Sequence, residues 1–356
     1  MKLLVLLPAN VRSGVDFFQS LLDDHQQISQ LPGLFYIDEF LNNIYEFENL
    51  DDVAKKFIEL YENYFDSRKN KIERHNSLGV SKNEFYTVDK NKFIKYFKNL
   101  LVDKERNYEN ILKAINLAYS QASGKDISKI KLIIIQVHHI HRINIIRNLN
   151  FEILLTCRNP LSSFSSYMSN LAYFKKKIPL PWPFYYNCTR IISCFKTILK
   201  LNKKSFLIKL EDLHVKNEIT MRNFCEIFDI EYDSCMKTST FHKKLWWGDA
   251  VSTIDLNGVN KNFQEKIKEK NFYNKDILYI QYQFSSFFKK YDFKKIIHNQ
   301  DLMRLNFFLP LKFELIIFFK NLINLKFITS ILTIYYYLKR LKNMEKLNID
   351  ILPKKI

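Results

Sequence analysis

Apolar residues along the chain fall into two rhythms. Four short runs, Leu3–Leu7, Lys131–Val137, Phe151–Leu155 and Ser205–Leu210, are dense in Leu, Ile and Val with few polar interruptions. That is the pattern of strands buried on both faces. Elsewhere apolar residues recur three and four apart, as in Phe17, Phe18, Leu21 and Leu22, or Val53, Phe57, Leu60 and Tyr64, or Met221, Phe224, Cys225 and Phe228. Such spacing predicts core-facing helices. Leu31–Tyr36 predicts a turn between helices, and Ile143–Leu149 a short helix. Strands alternating with helices predict an α/β class, a parallel central sheet flanked by helices. The helical pattern over about residues 37–123 predicts an insertion after the first helix, within an α/β domain spanning residues 1–298.

Residues 299–356 predict a basic, aromatic helical extension. Its longest uncharged run, Phe327 to Leu338, holds 12 residues, too few to cross a bilayer. Two helices packed on the domain fit this stretch. So does peripheral membrane contact, with Tyr335–Tyr337 and Lys339–Arg340 at the headgroups.

Composition changes this picture little. With 47% hydrophobic residues in 356, the chain can bury a sizeable core. The formal charge of +18 permits an anionic partner. However, heavy use of Lys, Asn, Ile, Phe and Tyr beside 6 Gly and 8 Pro is also what AT-rich coding yields, so charge identifies no partner. Cys157, Cys188, Cys194, Cys225 and Cys235 are odd in number and form no CxxC pair, so no disulfide framework and no metal are expected. A reducing, cytoplasmic setting follows, with membrane association left open. The N-terminus imitates a signal peptide, but its apolar core of five residues reads better as the first strand.

Candidate chemistry gathers at strand ends, where open parallel sheets place their ligands. Arg12-Ser13-Gly14 follows the first run and precedes a helix, without the GxxxxGK[ST] of a Walker loop. His138, His139 and His141 end the second run. Thr156-Cys157-Arg158-Asn159-Pro160 ends the third, with Pro160 placed for a first helical position and Ser166 in the helix that follows. An arginine and free amides at such a corner suit an anion. Glu211 ends the fourth run and reads as structural, holding a loop or an arginine. The aromatic, lysine-rich stretch Tyr173–Phe184 reads as a loop.

These motifs resemble the sulfotransferases that use 3′-phosphoadenosine-5′-phosphosulfate (PAPS), over roughly residues 1–290. Arg12-Ser13-Gly14 matches their phosphosulfate loop, Arg158 and Ser166 keep the spacing of their 3′-phosphate motif, and Glu211-Asp212-Leu213 echoes a third segment. The resemblance implies a P-loop-like sulfotransferase fold. It implies PAPS held by Arg12, Ser13, Gly14, Arg158 and Ser166, with Arg12 also serving catalysis. A histidine base is implied among His139, His138 and His141, in that order. The acceptor would be a hydroxyl, of a carbohydrate or glycolipid, and no nucleic acid partner is expected. Two departures stand out: Val15 and Asp16 replace hydroxyl residues, and Lys243–Asp249 only faintly matches the family's late glycine-rich loop. A nucleotide-dependent kinase, or a non-catalytic glycan- or membrane-binding protein on the same scaffold, are the competing readings.

Overall fold

The computed structural model describes residues 1–44, 49–170, 182–250, 258–260, 262–263, 272–297, 308–342 and 352–356. Its strands are β1 (Lys2–Pro8), β2 (Ile28–Gln30), β3 (Leu132–Gln136), β4 (Glu152–Cys157), β5 (Ser205–Lys209), β6 (Thr240–Phe241), β7 (Lys244–Leu245) and β8 (Lys354–Lys355). The helices that matter below are α1 (Val15–Leu21), α2 (Ile37–Asn43), α3 (Leu50–Leu60), α4 (Glu62–Phe65), α5 (Lys90–Leu101), α6 (Tyr108–Ala122) and α7 (Pro160–Asn170). They continue with α8 (Trp182–Leu201), α9 (Leu210–Val215), α10 (Asn217–Phe228), α11 (Asn274–Gln283), α12 (Ser285–Lys290), α13 (Lys312–Ile323) and α14 (Phe327–Lys342).

Six strands form one sheet in the order β2-β3-β1-β4-β5-β8, and each pairing is parallel. β1 is central, with Leu6 opposite both Gln136 and Leu154. The period-two alternation fills both faces. Leu3, Val5 and Leu7 join Ile133, Ile135, Ile153 and Leu155 in one core, while Leu4 and Leu6 join Leu132, Ile134, Leu154 and Ile208 in the other. The second face is covered by α1 and α10, through Phe18, Met221 and Phe224. The first is covered by α3, α5 and α6, through Phe57, Phe93 and Leu112, and by α7, α8 and α11, through Phe164, Phe195 and Ile277. Such two-sided covering is what an all-parallel sheet requires.

Four details differ from the sequence reading. Ile28–Gln30, on the flank of the expected turn, is the edge strand β2. Ile140–Ile146 is a 3₁₀ helix rather than the later α-helical turn. Trp182–Phe184 belong to α8, because Pro183 falls in a first turn, where a missing N–H costs nothing; the rest of the expected loop, residues 173–181, lies outside the described residues. Finally, the chain's last residues return to the sheet: β8 pairs with β5, the Ile356 amide donates to the Leu207 carbonyl at 2.9 Å, and Tyr291 Oη donates to the Pro353 carbonyl at 2.9 Å.

Candidate functional site

The ends of β1 and β4 lie side by side, Pro8 opposite Thr156, so the loops that follow them emerge together. Asn10 locks them. Its Nδ2 donates to the Arg158 carbonyl at 2.7 Å, and its Oδ1 accepts the Arg158 amide at 3.0 Å. A second tie joins the Ser13 and Thr156 hydroxyls at 3.0 Å, fully buried. A third runs from Ser163 Oγ to the Val11 carbonyl at 2.5 Å. Ser166 is three residues beyond Ser163 on α7, hence on the same helix face, the one turned toward the Arg12 loop. Arg12, Ser13, Gly14 and Arg158 therefore stand on two adjoining loops, with Ser166 about one turn further along α7.

The backbone of that corner is unusual. Arg12 has φ of 57° and Gly14 of 79°. Only glycine tolerates the second position: a Cβ there would stand 2.4 Å from Leu210 Cδ1. A non-glycine residue in the left-handed region costs on the order of 1 kcal/mol, and at Arg12 this strain is carried by a residue whose guanidinium bonds Asp249. Asn159 caps α7, accepting the Leu161 amide at 2.9 Å, and Glu211 Oε1 accepts the Asn159 amide at 2.9 Å. Glu211 thus holds the corner, as its structural reading requires.

One carboxylate already sits on Arg12. Asp249 Oδ2 accepts from Arg12 Nη1 at 3.0 Å, with side chains 19% and 23% exposed. Asp249 is brought there by the β6–β7 hairpin, whose turn residues His242 and Lys243 both have positive φ, the twist a two-residue hairpin needs. The segment after it runs along the Glu73–Gly79 stretch. Trp246 Nε1 donates to the Glu73 carbonyl at 2.6 Å and Trp247 Nε1 to the Gly79 carbonyl at 2.7 Å. So the Lys243–Asp249 segment ends on Arg12. Because an anion bound at Arg12 must displace this carboxylate or share the guanidinium with it, Asp249→Asn is expected to bind adenosine 3′,5′-bisphosphate about 3- to 10-fold tighter than wild type by calorimetry. Weaker binding would mean that Asp249 serves to hold Arg12 in place.

The histidine cluster divides. His138 Nε2 lies 3.6 Å from Asp16 Oδ1 and 3.1 Å from Gln136 Nε2, and Gln136 Nε2 donates to Asp16 Oδ1 at 2.5 Å. Asp16, the departure beside the glycine, is therefore turned toward the end of β3. Burial alone would raise its carboxyl, but the hydrogen bond and positive charge offered by His138, then the Gln136 amide, outweigh that and hold it below the usual range. His139 turns away and stacks against His141, ring centroids 5.5 Å apart. Burial first, then the charges of Arg190, His141, His138 and Arg142, push His139 down to about 4. Arg190 of α8 also donates to the His138 carbonyl.

Sequence reasoning does not single out Glu73. Its Oε2 accepts from Asn70 Nδ2 at 2.8 Å and lies 3.9 Å from His75 Nε2. Burial, followed by the negative charge of Asp16, pushes its carboxyl up to about 7 against the pull of Asn70. Gly33, with φ of 107°, makes room for it: a Cβ there would stand 2.3 Å from Glu73 Oε2. Also unforeseen is the aromatic stack beside Arg158. His214 lies between Phe17 and Phe263, at 4.4 and 4.5 Å between centroids, and the Arg158 guanidinium carbon is 6.0 Å from the Phe263 ring centre. Burial, then the Arg158 charge, push His214 down to about 4, so it stays neutral at pH 7. Among the described residues no group of His, Cys, Asp and Glu side chains has the geometry of a metal site.

No protein-family model matches the chain, and no curated protein matches it in sequence. Among solved structures it is similar to the sulfotransferase domain from the curacin biosynthetic pathway, at 10% sequence identity and a TM-score of 0.36, covering 76% of this chain and 88% of that one.

Proposed function

We propose that the protein transfers a sulfuryl group from PAPS to a hydroxyl, of a carbohydrate or glycolipid. The observation that carries this reading is the locked pair of loops. Arg12-Ser13-Gly14 and Arg158 follow the ends of neighbouring strands and are tied through Asn10, with Ser166 on the helix that follows Arg158. A doubly phosphorylated nucleotide asks for two separated cationic grips, and arginine supplies each as a permanently charged fork. In this assignment Arg158 and Ser166 take the 3′-phosphate. Arg12 and the Gly14 amide take the phosphosulfate end, with Asp249 yielding its place. Ser13, committed to Thr156, keeps the loop in shape.

The reaction needs no more than positioning, a base and charge compensation. The acceptor oxygen attacks sulfur, a new S–O bond forms, and the old S–O bond to the 5′-phosphate breaks with its electron pair going to the phosphate oxygen. Arg12 meets that developing charge. The acceptor's proton goes to His138. Its Nε2 faces the Asp16 carboxylate, which orients the ring and leaves Nδ1 to accept. His139 ranks first in the sequence reading, but an imidazole held near 4 is a weak base at neutral pH. Asp16 replaces a hydroxyl of the family pattern; turned toward His138, it serves the base rather than the phosphate.

The test is incubation with PAPS labelled in its sulfate and a panel of glycans and glycolipids. Label should move to an acceptor with the wild-type chain and stay on the donor with Arg12→Ala. Binding of adenosine 3′,5′-bisphosphate without transfer to any acceptor would replace this reading with that of a non-catalytic binding protein. Preferential binding of ATP would favour a kinase.

A further inference from the structure

In the helical hairpin α13–α14, α13 packs Phe313 and Ile317 into the domain core, whereas α14 is built inside out. Thirteen of the twenty-three large apolar side chains that stand exposed among the described residues lie between Phe308 and Leu338. Along α14 the buried positions are Ser330, Thr333 and Arg340. The outward ones include Ile328 at 78% and Ile331 at 65% exposed, and Leu325 in the connecting turn is 72% exposed. Water-facing helices show the reverse pattern, and an exposed patch of this kind marks an interaction surface.

The orientation is fixed rather than incidental. Arg340 makes a forked, buried ion pair with Glu314 of α13, at 2.6 Å from Nε and 2.8 Å from Nη2, and lies 4.5 Å over the Tyr279 ring of α11. The Lys312 amide donates to Asp276 Oδ1 of α11 at 3.0 Å, and the Leu311 amide to Glu314 Oε2 at 2.7 Å. The Asp276 and Tyr279 contacts, with Leu311, Phe313 and Ile317 in the domain core, tie the hairpin's inner side to the domain and leave the apolar residues of α14 outward.

Charge identifies the occupant. Between Phe308 and Lys342 the chain carries Lys312, Lys320, Lys326, Lys339, Arg340 and Lys342 against one acid, Glu314, and that acid is buried on Arg340. With Arg340 and Glu314 buried against each other, the charges that the hairpin presents to solvent are lysines alone. A two-fold pairing of two copies would set the same lysines against each other around one patch. Anionic lipid headgroups complement them, with acyl chains for the apolar face. At 1.5 Å per residue, α13 and α14 are roughly 18 and 24 Å long, and no helix among the described residues is long and apolar enough to cross a membrane. We infer that the α13–α14 hairpin seats the protein on one leaflet of an anionic bilayer, its lysines at the phosphates and its isoleucines and leucines below them.

The seat would lie close to the histidine cluster. Tyr185, in the first turn of α8, packs on Tyr336 of α14 at 5.3 Å, and Lys339 lies over its ring at 5.3 Å. Five residues further along α8, Arg190 holds the His138 carbonyl.

The experiment is co-sedimentation of the full chain with vesicles of phosphatidylcholine alone or mixed with phosphatidylserine. The wild type should pellet with the phosphatidylserine vesicles and release as salt is raised. Ile328→Glu with Ile331→Glu should lower the bound fraction at least ~10-fold while keeping the wild-type thermal transition and its affinity for adenosine 3′,5′-bisphosphate. Lys326→Ser with Lys342→Ser should weaken binding to the anionic vesicles by roughly 10-fold or more, at about 1 kcal/mol per lysine, with no change on phosphatidylcholine. A wild type that stays in the supernatant with both vesicles overturns the inference. So does a wild-type dimer, seen by light scattering, that Ile328→Glu converts to monomer without any vesicle binding.

Discussion

Arg158→Ala is expected to weaken binding of adenosine 3′,5′-bisphosphate by about 10- to 150-fold, the ~1.5–3 kcal/mol of a charge-assisted phosphate contact, measured by calorimetry. Adenosine 5′-monophosphate should bind the variant and the wild type alike, because it lacks the phosphate that Arg158 is assigned. The fold should tolerate the change. The corner is held by Asn10 through the backbone amide and carbonyl of residue 158, which alanine retains. Its cap and its carboxylate strut, Asn159 and Glu211, are separate side chains. Equal affinity for the bisphosphate in both proteins would remove the 3′-phosphate assignment.

The second large effect concerns the base. His138→Ala should lower kcat by about 10²- to 10⁴-fold, the usual reach of a positioned proton acceptor, with bisphosphate affinity within about 2-fold because the arginine grips are untouched. His139→Ala and His141→Ala should keep kcat within about 10-fold, since neither faces the Asp16 carboxylate. Asp16→Asn separates positioning from proton transfer. It should lower kcat less than His138→Ala does, because the amide keeps the shape beside the ring and removes only the charge that orients it. A kcat for His138→Ala equal to wild type, with a large loss in His139→Ala, would restore the order read from the sequence.

The strands that carry the site were legible because they are buried on both faces, which leaves unbroken runs of Leu, Ile and Val. β2 escaped because it is three residues long and only Ile28 gives it an apolar core contact. Ser29 Oγ bonds the Asn116 carbonyl and Ser120 Oγ, and Gln30 Nε2 donates to the Gln19 carbonyl. β8 is two lysines, Lys354 and Lys355, with Lys355 Nζ 2.8 Å from Asp212 Oδ2. No hydrophobic pattern can report such strands.

At the site, the residues at strand ends were visible because local order, strand then loop then helix, predicts where they stand. Their partners were not. Asp249 meets Arg12 across 237 positions, and Glu73 reaches Asp16's neighbourhood through a helical insertion whose amphipathic spacing speaks only of packing. The one local hint was Asn10, a small polar residue at a strand end where its amide can bond a neighbouring backbone. The distinction between His138 and His139 follows from successive residues pointing opposite ways at the end of an extended run. Which of them faces Asp16 depends on the register of β1 against β3, which pairs Leu6 with Gln136.

The claim that everything else rests on is that one nucleotide bridges the two locked loops. Its most direct test is the position of adenosine 3′,5′-bisphosphate in a crystal of its complex with the protein. The account predicts the 3′-phosphate against Arg158 and Ser166, and the 5′-phosphate against Arg12 and the Gly14 amide with the Asp249 carboxylate moved off the guanidinium. A nucleotide found elsewhere on the molecule, with the Arg12–Asp249 pair intact, would contradict it.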